Sequence, residues 1–278
     1  MVRLWLVVLS VFCLAPASVL LPVTSWAGVP ITGRAQQMAF ARAPVQSVAA
    51  QSFHQKLSRL AARGMLDNDV HVLNRIRRIC GHLIAQAIQL KPVAASWPWE
   101  VHITSDPQVA AFSMGGGKLM VGTQFIDNYQ LSDNELAVAL AHEIGHVIAE
   151  NVREQISLAA SFEPVLPNRT LKVEDVINDM ESDISVFLRL QPLSRLQEME
   201  ADDIGIELAA RAGVPPTAVT RFYTKLSQAD AGQSIFDSHG SSRQRVQFVE
   251  SMANYARPVY EASRRSRLPN YEFVRTAR

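Results

Sequence analysis

Cysteine is nearly absent from this chain: two in 278 residues, at positions 13 and 80. Once the N-terminal leader described below is set aside only Cys80 remains, and one thiol cannot close an internal disulfide. Cys80 sits in NRIRRICGHLIAQAI at helical spacing from Ile76 and Ile84, which is the place of a small buried apolar side chain. Nothing around it forms a nucleophile pattern, so thiol catalysis is not expected. An excess of either charge is missing too. Lys+Arg 27 face Asp+Glu 26, a net of +1, with no basic stripe, and this removes the electrostatic case for a nucleic-acid partner. Repeats and low-complexity tracts are absent. With 48% hydrophobic and 19% charged residues, the composition suits one globular domain, or one domain with a helical extension.

No charge occurs between Arg3 and Arg34. Pro16 and Pro22 interrupt this apolar run and oppose a stable spanning helix, and Ser25 and Ala27 form a small-x-small pattern before Gly28. Residues 1–27 are therefore expected to be a secretory signal peptide, which places the chain in the periplasm. An uncleaved anchor, with membrane association, is the alternative, because the run is long enough to span. Cys13 follows Phe12, not the small residue expected before a lipid-bearing cysteine.

Apolar residues recur at three and four from about Gln51 to Ile88, which predicts amphipathic helix broken near RGMLDND. Val101 and Ile103 alternate with polar neighbours, and MGGGKLMVGT predicts a glycine turn into a second strand, Lys118 to Val121. QLSDNELAVALAHEIGHVIAENV is the best-defined helix, opened by a capping box between Ser132 and Glu135. Further helices are expected from about Leu193 to Ala210 and from Pro216 to about Leu226. The expected division is an N-terminal helical segment, 28–95, a core, 96–260, and a tail, 261–278.

His142 and His146 are four apart on the capped helix, so both imidazoles leave one face and can reach one ion. Glu143 lies about one hundred degrees round the helix, where it can reach water beside the metal without ligating it; this is the H-E-x-x-H arrangement. The third ligand does not follow closely, because VIAENV lacks a further histidine. SRLQEMEADDIGIELAA offers Glu198, Glu200, Asp202 and Asp203. Glu198 and Asp202 share a face, which suits one carboxylate on the metal and one orienting a ligand imidazole. Glu200 points elsewhere and is expected in solvent. His54, His71, His82 and His102 are isolated in sequence, with surface or core roles.

HEIGH preceded by DNELAVALA, and SRLQEMEADDIG some fifty residues later, resemble the zinc metallopeptidases of family M48. The resemblance covers roughly residues 31 to 255, with TGRAQQM, DPQVAAFSMGGGKLMV and SHGSSRQR as flanking elements, and it is closest to compact periplasmic members without tetratricopeptide repeats or a multispan membrane domain. It implies an α+β, predominantly helical zincin-like fold with a small antiparallel sheet beside the H-E-x-x-H helix. It implies one zinc ion per chain on His142, His146 and Glu198, with Asp202 in support. It implies Glu143 as catalytic base, and His239 and Arg245 as further catalytic residues, His239 also as a resting-state fourth ligand. Gly240 stands where proline is common and Ala110 where asparagine is usual, which changes the surroundings of His239 and of a substrate contact.

The activity implied is endoproteolysis of unfolded or misassembled proteins, including outer-membrane proteins, in envelope quality control. The alternative is a metal-containing chaperone or assembly factor that rarely cuts. Substrate is expected to lie extended against an edge strand at Lys118 to Val121. The segment from Ser161 to Leu190, between the two metal motifs, is expected to cover the cleft as a lid.

Overall fold

The computed structural model describes residues 25–162, 171–228 and 243–273. It opens with an antiparallel strand pair, β1 (Ser25–Gly28) and β2 (Ala35–Met38). Three residues assigned above to the signal peptide therefore belong to a paired strand; residues 1–24 lie outside the described set. Helix α1 (Arg42–Ala62) begins nine residues earlier than the periodicity suggested. Pro44 falls in its first turn, where a missing N–H costs no helical hydrogen bond. The helix ends at Gly64, whose φ of 66° closes a Schellman turn: Met65 N donates to Leu60 O and Gly64 N to Ala61 O, both at 2.9 Å. Asp69 then caps α2 (Val70–Leu90) by accepting from the amides of His71 and Val72.

After a short 3-10 helix at Pro92–Ser96 come β3 (Glu100–Thr104), β4 (Ala111–Met114) and β5 (Lys118–Gly122). They form a three-stranded sheet of order β3-β5-β4. Two expectations are corrected here. The sheet is mixed: β4 pairs antiparallel to β5, but β3 pairs parallel to it. The connection 105–110 is too wide for a tight hairpin and leaves a slot between β3 and β4, which β5 fills. The stretch at Lys118 to Val121 is consequently the central strand, buried at every position, and β4 is the edge on the other side of the glycine turn. Its near-continuous apolar run, without alternation, is the mark of a strand covered on both faces.

Helices α3 (Thr123–Asn128), α4 (Asp133–Ile148) and α5 (Asn151–Ala160) follow. The capping box on α4 is present in both directions, Ser132 to Glu135 and back. Next come α6 (Val173–Ser182) and α7 (Ile184–Arg211), then α8 (Pro216–Gln228), α9 (Arg243–Tyr255) and α10 (Arg257–Ser263). α7 starts nine residues before the expected Leu193 because Asp183 caps it on Ser185 N, and it runs through Pro192. The fold is thus α+β and predominantly helical, with its sheet beside α4.

The main core gathers α2, the sheet, α4, the second half of α7 and α8 around Leu83, Leu119, Leu140 and Phe222. A smaller core joins α1, α5, α6 and the first half of α7 through Val45, Ile156, Val173, Val176, Val186 and Leu190. The segment expected as a lid contributes Val173, Val176, Val186 and Leu190 to this second core, and its residues 163–170 lie outside the described set. No helix among the described residues is long and apolar enough to cross a membrane.

Candidate metal centre

Two glycines set the distance between the helices that bear the expected ligands. Where α4 crosses α7, a Cβ on Gly205 would lie 2.9 Å from both Cα and N of His142, and one on Gly145 would lie 2.8 Å from Ala201 O. Backbone therefore packs against backbone, and short side chains on one helix reach those on the other. His142 Nε2 and His146 Nε2 stand 3.1 Å apart. Glu198 reaches both: its Oε2 is 3.4 Å from His142 Nε2 and its Oε1 is 3.4 Å from His146 Nε2. All three ligand atoms fall within 4.8 Å of one another.

The second nitrogen of each ring decides what these contacts are. His142 Nδ1 donates to Asp202 Oδ1 at 2.9 Å, and Tyr223 Oη donates to the same oxygen. His146 Nδ1 donates to Asn151 Oδ1 at 2.8 Å. With both protons held on Nδ1, each neutral ring presents a lone pair at Nε2. Two Nε2 atoms and a carboxylate converge in a site where His142 is 2% exposed. Such a donor set is stable around a cation. A four-coordinate ion bonded at about 2.0–2.1 Å separates its ligands by about 3.3 Å, the spacing found here, so the residues fit a tetrahedral metal with one position left for solvent or substrate.

Glu143 is buried, and with His146 and Glu198 it lines a cavity of about 280 Å³. Phe112, Ser113 and Met114 of the edge strand β4 form another wall, so extended backbone can reach the carboxylate and the ligand triad together.

The remaining acids of QEMEADD correct one expectation. Glu200 does point away from the triad, but it is 3% exposed, not solvated. Arg34, just before β2, donates Nε to Glu200 Oε1 at 2.5 Å and both terminal nitrogens to Glu154, at 2.6 and 2.8 Å. These bonds, first those that Glu154 accepts, hold the guanidinium proton more tightly than usual. Gln36 and Gln197 complete the network on Glu154. The N-terminal strand pair is thereby tied to α5 and to the metal-facing helix. Asp203, raised to about 6 by burial and by Asp202 and Glu200, belongs to the same acidic turn.

A second charged cluster borders the same cavity. Glu150, in left-handed backbone at φ 55°, accepts from Arg42 at 2.9 Å, Lys91 at 2.6 Å and Arg153 at 3.0 Å. Burial would raise its pKa, but Arg42 and Lys91 hold it at about 2.

His239 lies outside the described residues, as does Gly240. Arg245 falls in the first turn of α9, and its side chain is likewise outside them. Ala110 is buried between the sheet and the core. His54 and His102 are not isolated, since both meet Glu100, and His102 Nδ1 also meets Asp67 at 2.7 Å. Burial opposes the proton on His102, but the two carboxylates lift its pKa to about 9. Neither histidine joins the triad.

Asn151, Tyr223 and Arg34 were missed from sequence. Asn151 alone had a local signal, its place five residues after His146 at the start of α5; Tyr223 and Arg34 are delivered by packing from distant segments.

Comparison with known proteins agrees with this geometry. The family model described as Peptidase family M48 matches residues 72–253. The chain is 36% identical over 154 residues to the mitochondrial metalloendopeptidase OMA1 of Arabidopsis thaliana, covering 54% of this chain and 31% of that protein. It is 28% identical over 184 residues to the Saccharomyces cerevisiae protein of the same name, covering 62% and 52%. It is 27% identical over 156 residues to the metalloprotease LoiP of Escherichia coli, covering 54% and 60%. These matches span roughly a third to three fifths of the relatives' own length.

Proposed function

The chain belongs to peptidase family M48, and we propose that it is a zinc-dependent endopeptidase that cleaves unfolded or misassembled proteins in the cell envelope, as quality control. One observation carries the reading. Two imidazoles with their protons held elsewhere, and one carboxylate, converge at tetrahedral spacing beside a buried glutamate and an edge strand. Two nitrogens and one oxygen in that arrangement favour zinc, on His142, His146 and Glu198.

Zinc, when bound there, supplies Lewis acidity that polarises a carbonyl and acidifies water. Glu143 accepts the proton of the attacking water and returns it to the leaving amine. Asp202 and Asn151 keep the two rings turned so that Nε2 faces the centre. Tyr223 fixes Asp202. β4 offers unpaired backbone to an extended substrate; an edge reads main chain more than side chain, which suits unfolded substrates such as outer-membrane proteins. His239 and Arg245 are candidates to meet the oxyanion. The periplasmic location rests on the apolar N-terminus and on likeness to a bacterial metalloprotease.

The test is metal content and casein digestion of the purified chain, with and without a chelator, alongside Glu143→Gln. We expect about one zinc per chain, digestion abolished by the chelator, and a loss of about 10²–10⁴ in rate for Glu143→Gln with zinc retained. Glu143→Gln that rescues a deletion strain as well as the parent would favour the chaperone alternative instead.

A further inference from the structure

Half of the large apolar side chains that stand exposed among the described residues lie between Ile184 and Met199 of α7. Ile184 is 69% exposed, Phe187 50%, Leu188 61%, Leu196 39% and Met199 51%. The opposite face of the same stretch is buried, with Val186, Leu190, Gln197 and Glu200. Helical periodicity sorts the exposed residues into rows. Phe187 shares a face with Ser194 and Glu198, and both of those line the cavity beside the triad. Ile184, Leu188 and Met199 form the next row, about a quarter turn further round. Exposed Pro192 and Leu196 fill the gap between Leu188 and Met199 on its far side. On α5, Val152 is 36% exposed and belongs to the cavity wall as well. The apolar stripe on α7 is thus continuous with the cleft.

From Ile184 to Met199 the stripe runs about 22 Å at 1.5 Å per residue. An extended chain covers that length with about seven residues. Single exposed apolar residues are ordinary, but a contiguous row marks a place where something apolar docks. The charges around the row narrow what that is. Lys172, Arg189 and Arg195 stand against Glu174, Asp175 and Asp179 of α6 and against Asp183, which caps α7 next to Ile184. This mixture gives no cationic field to hold an anionic bilayer. An unfolded polypeptide needs no such field, and it exposes the apolar residues that a folded protein keeps inside. Because the row adjoins the cleft, one extended chain can lie on α7 and pass Glu143 and the triad.

We propose that this face of α7 is an exosite for an apolar segment of an unfolded substrate, about seven residues long, that flanks the stretch lying in the cleft. The inference rests on the endopeptidase reading for what is cut, but not for what is bound. An edge strand such as β4 pairs with any extended backbone. The stripe adds what β4 lacks, a preference for chains whose apolar residues are out of a core.

The experiment uses the zinc-loaded chain and fluorogenic peptides built on a casein sequence. Each peptide is extended at one end or the other by about seven residues, either Leu- and Val-rich or, at the same length, Ser- and Gln-rich. The same peptides are bound to Glu143→Gln and followed by fluorescence anisotropy. Burial of several half-exposed side chains should favour the apolar extension by about tenfold in binding and in KM, at one end of the peptide, with kcat little changed. The double substitution Leu188→Gln with Met199→Gln should bring the apolar-to-polar ratio close to one, and Leu188→Met with Met199→Leu should keep it. Ile184→Gln alone should lower the ratio in part, and circular dichroism checks that each variant is folded. Equal binding of the two extensions, or a ratio unchanged in the double variant, overturns the exosite. Dimers in sedimentation, or binding to phosphatidylglycerol vesicles, that depend on Leu188 and Met199 and come in place of peptide selectivity give the stripe another occupant and overturn it too. Selective binding without any cleavage by the parent leaves the exosite standing and removes the endopeptidase reading.

Discussion

The helix crossing can be tested with one methyl group. In Gly205→Ala the new Cβ would meet His142 Cα and N at 2.9 Å, against backbone that has no rotamer to change. Ordinary contact begins near 3.4 Å, so α4 and α7 must part by about half an ångström or more. Metal sites tolerate about 0.2 Å in ligand distance. Glu198 meets both histidines from the opposite helix, at 3.4 Å each, so the separation falls directly on the triad. Mis-set ligand shells cost about 10–100-fold in metal affinity, and overpacking a core costs about 1–3 kcal/mol. The expected variant is folded, destabilised in urea by about that amount, and at least about tenfold weaker for zinc in competition with a chromogenic chelator. Circular dichroism separates a displaced helix from an unfolded chain. A folded Gly205→Ala with parental zinc affinity and parental stability would refute the claim that backbone contact sets the site.

Two further outcomes follow from the same geometry. Asn151→Ala removes the acceptor for His146 Nδ1 at 2.8 Å, and zinc affinity should fall about 10–100-fold while Glu143-dependent chemistry in zinc-saturated protein survives in part; chelator competition beside a rate measurement separates the two effects. Glu150, held at about 2 against an ordinary 4.5, contributes about 3 kcal/mol that is fully present above pH 4.5 and lost as pH falls through 2; urea midpoints should show Glu150→Gln weaker than the parent at pH 6 by roughly that amount, converging as the medium is acidified, and a pH-independent gap would contradict it.

The residues proposed to carry the chemistry were legible because their relations are local. His142, Glu143 and His146 are fixed to one another by a single helical turn, and Glu198 and Asp202 by another. What sequence periodicity could not supply is anything decided by how those turns meet. Glu200 is the clearest case: its helical position correctly turned it away from the triad, yet its burial depends on Arg34, 166 residues distant. The central place of β5 is similar. A strand's partners are chosen by the chain around it, and only the lack of alternation in KLMVG hinted that both faces were covered.

One signal was present and unread. HEIGH and EADDIG each carry a glycine, Gly145 and Gly205, and both lie inside helices, where glycine weakens the helix by roughly 1 kcal/mol relative to alanine. A helix that accepts this cost inside its most functional turn does so for close approach, and here each glycine faces backbone of the other helix. The two motifs therefore encode ligands and also the spacing at which they meet. The orienting residues, Asn151 and Tyr223, complete the centre from the start of α5 and the side of α8, reaching rings that α4 and α7 have already brought together.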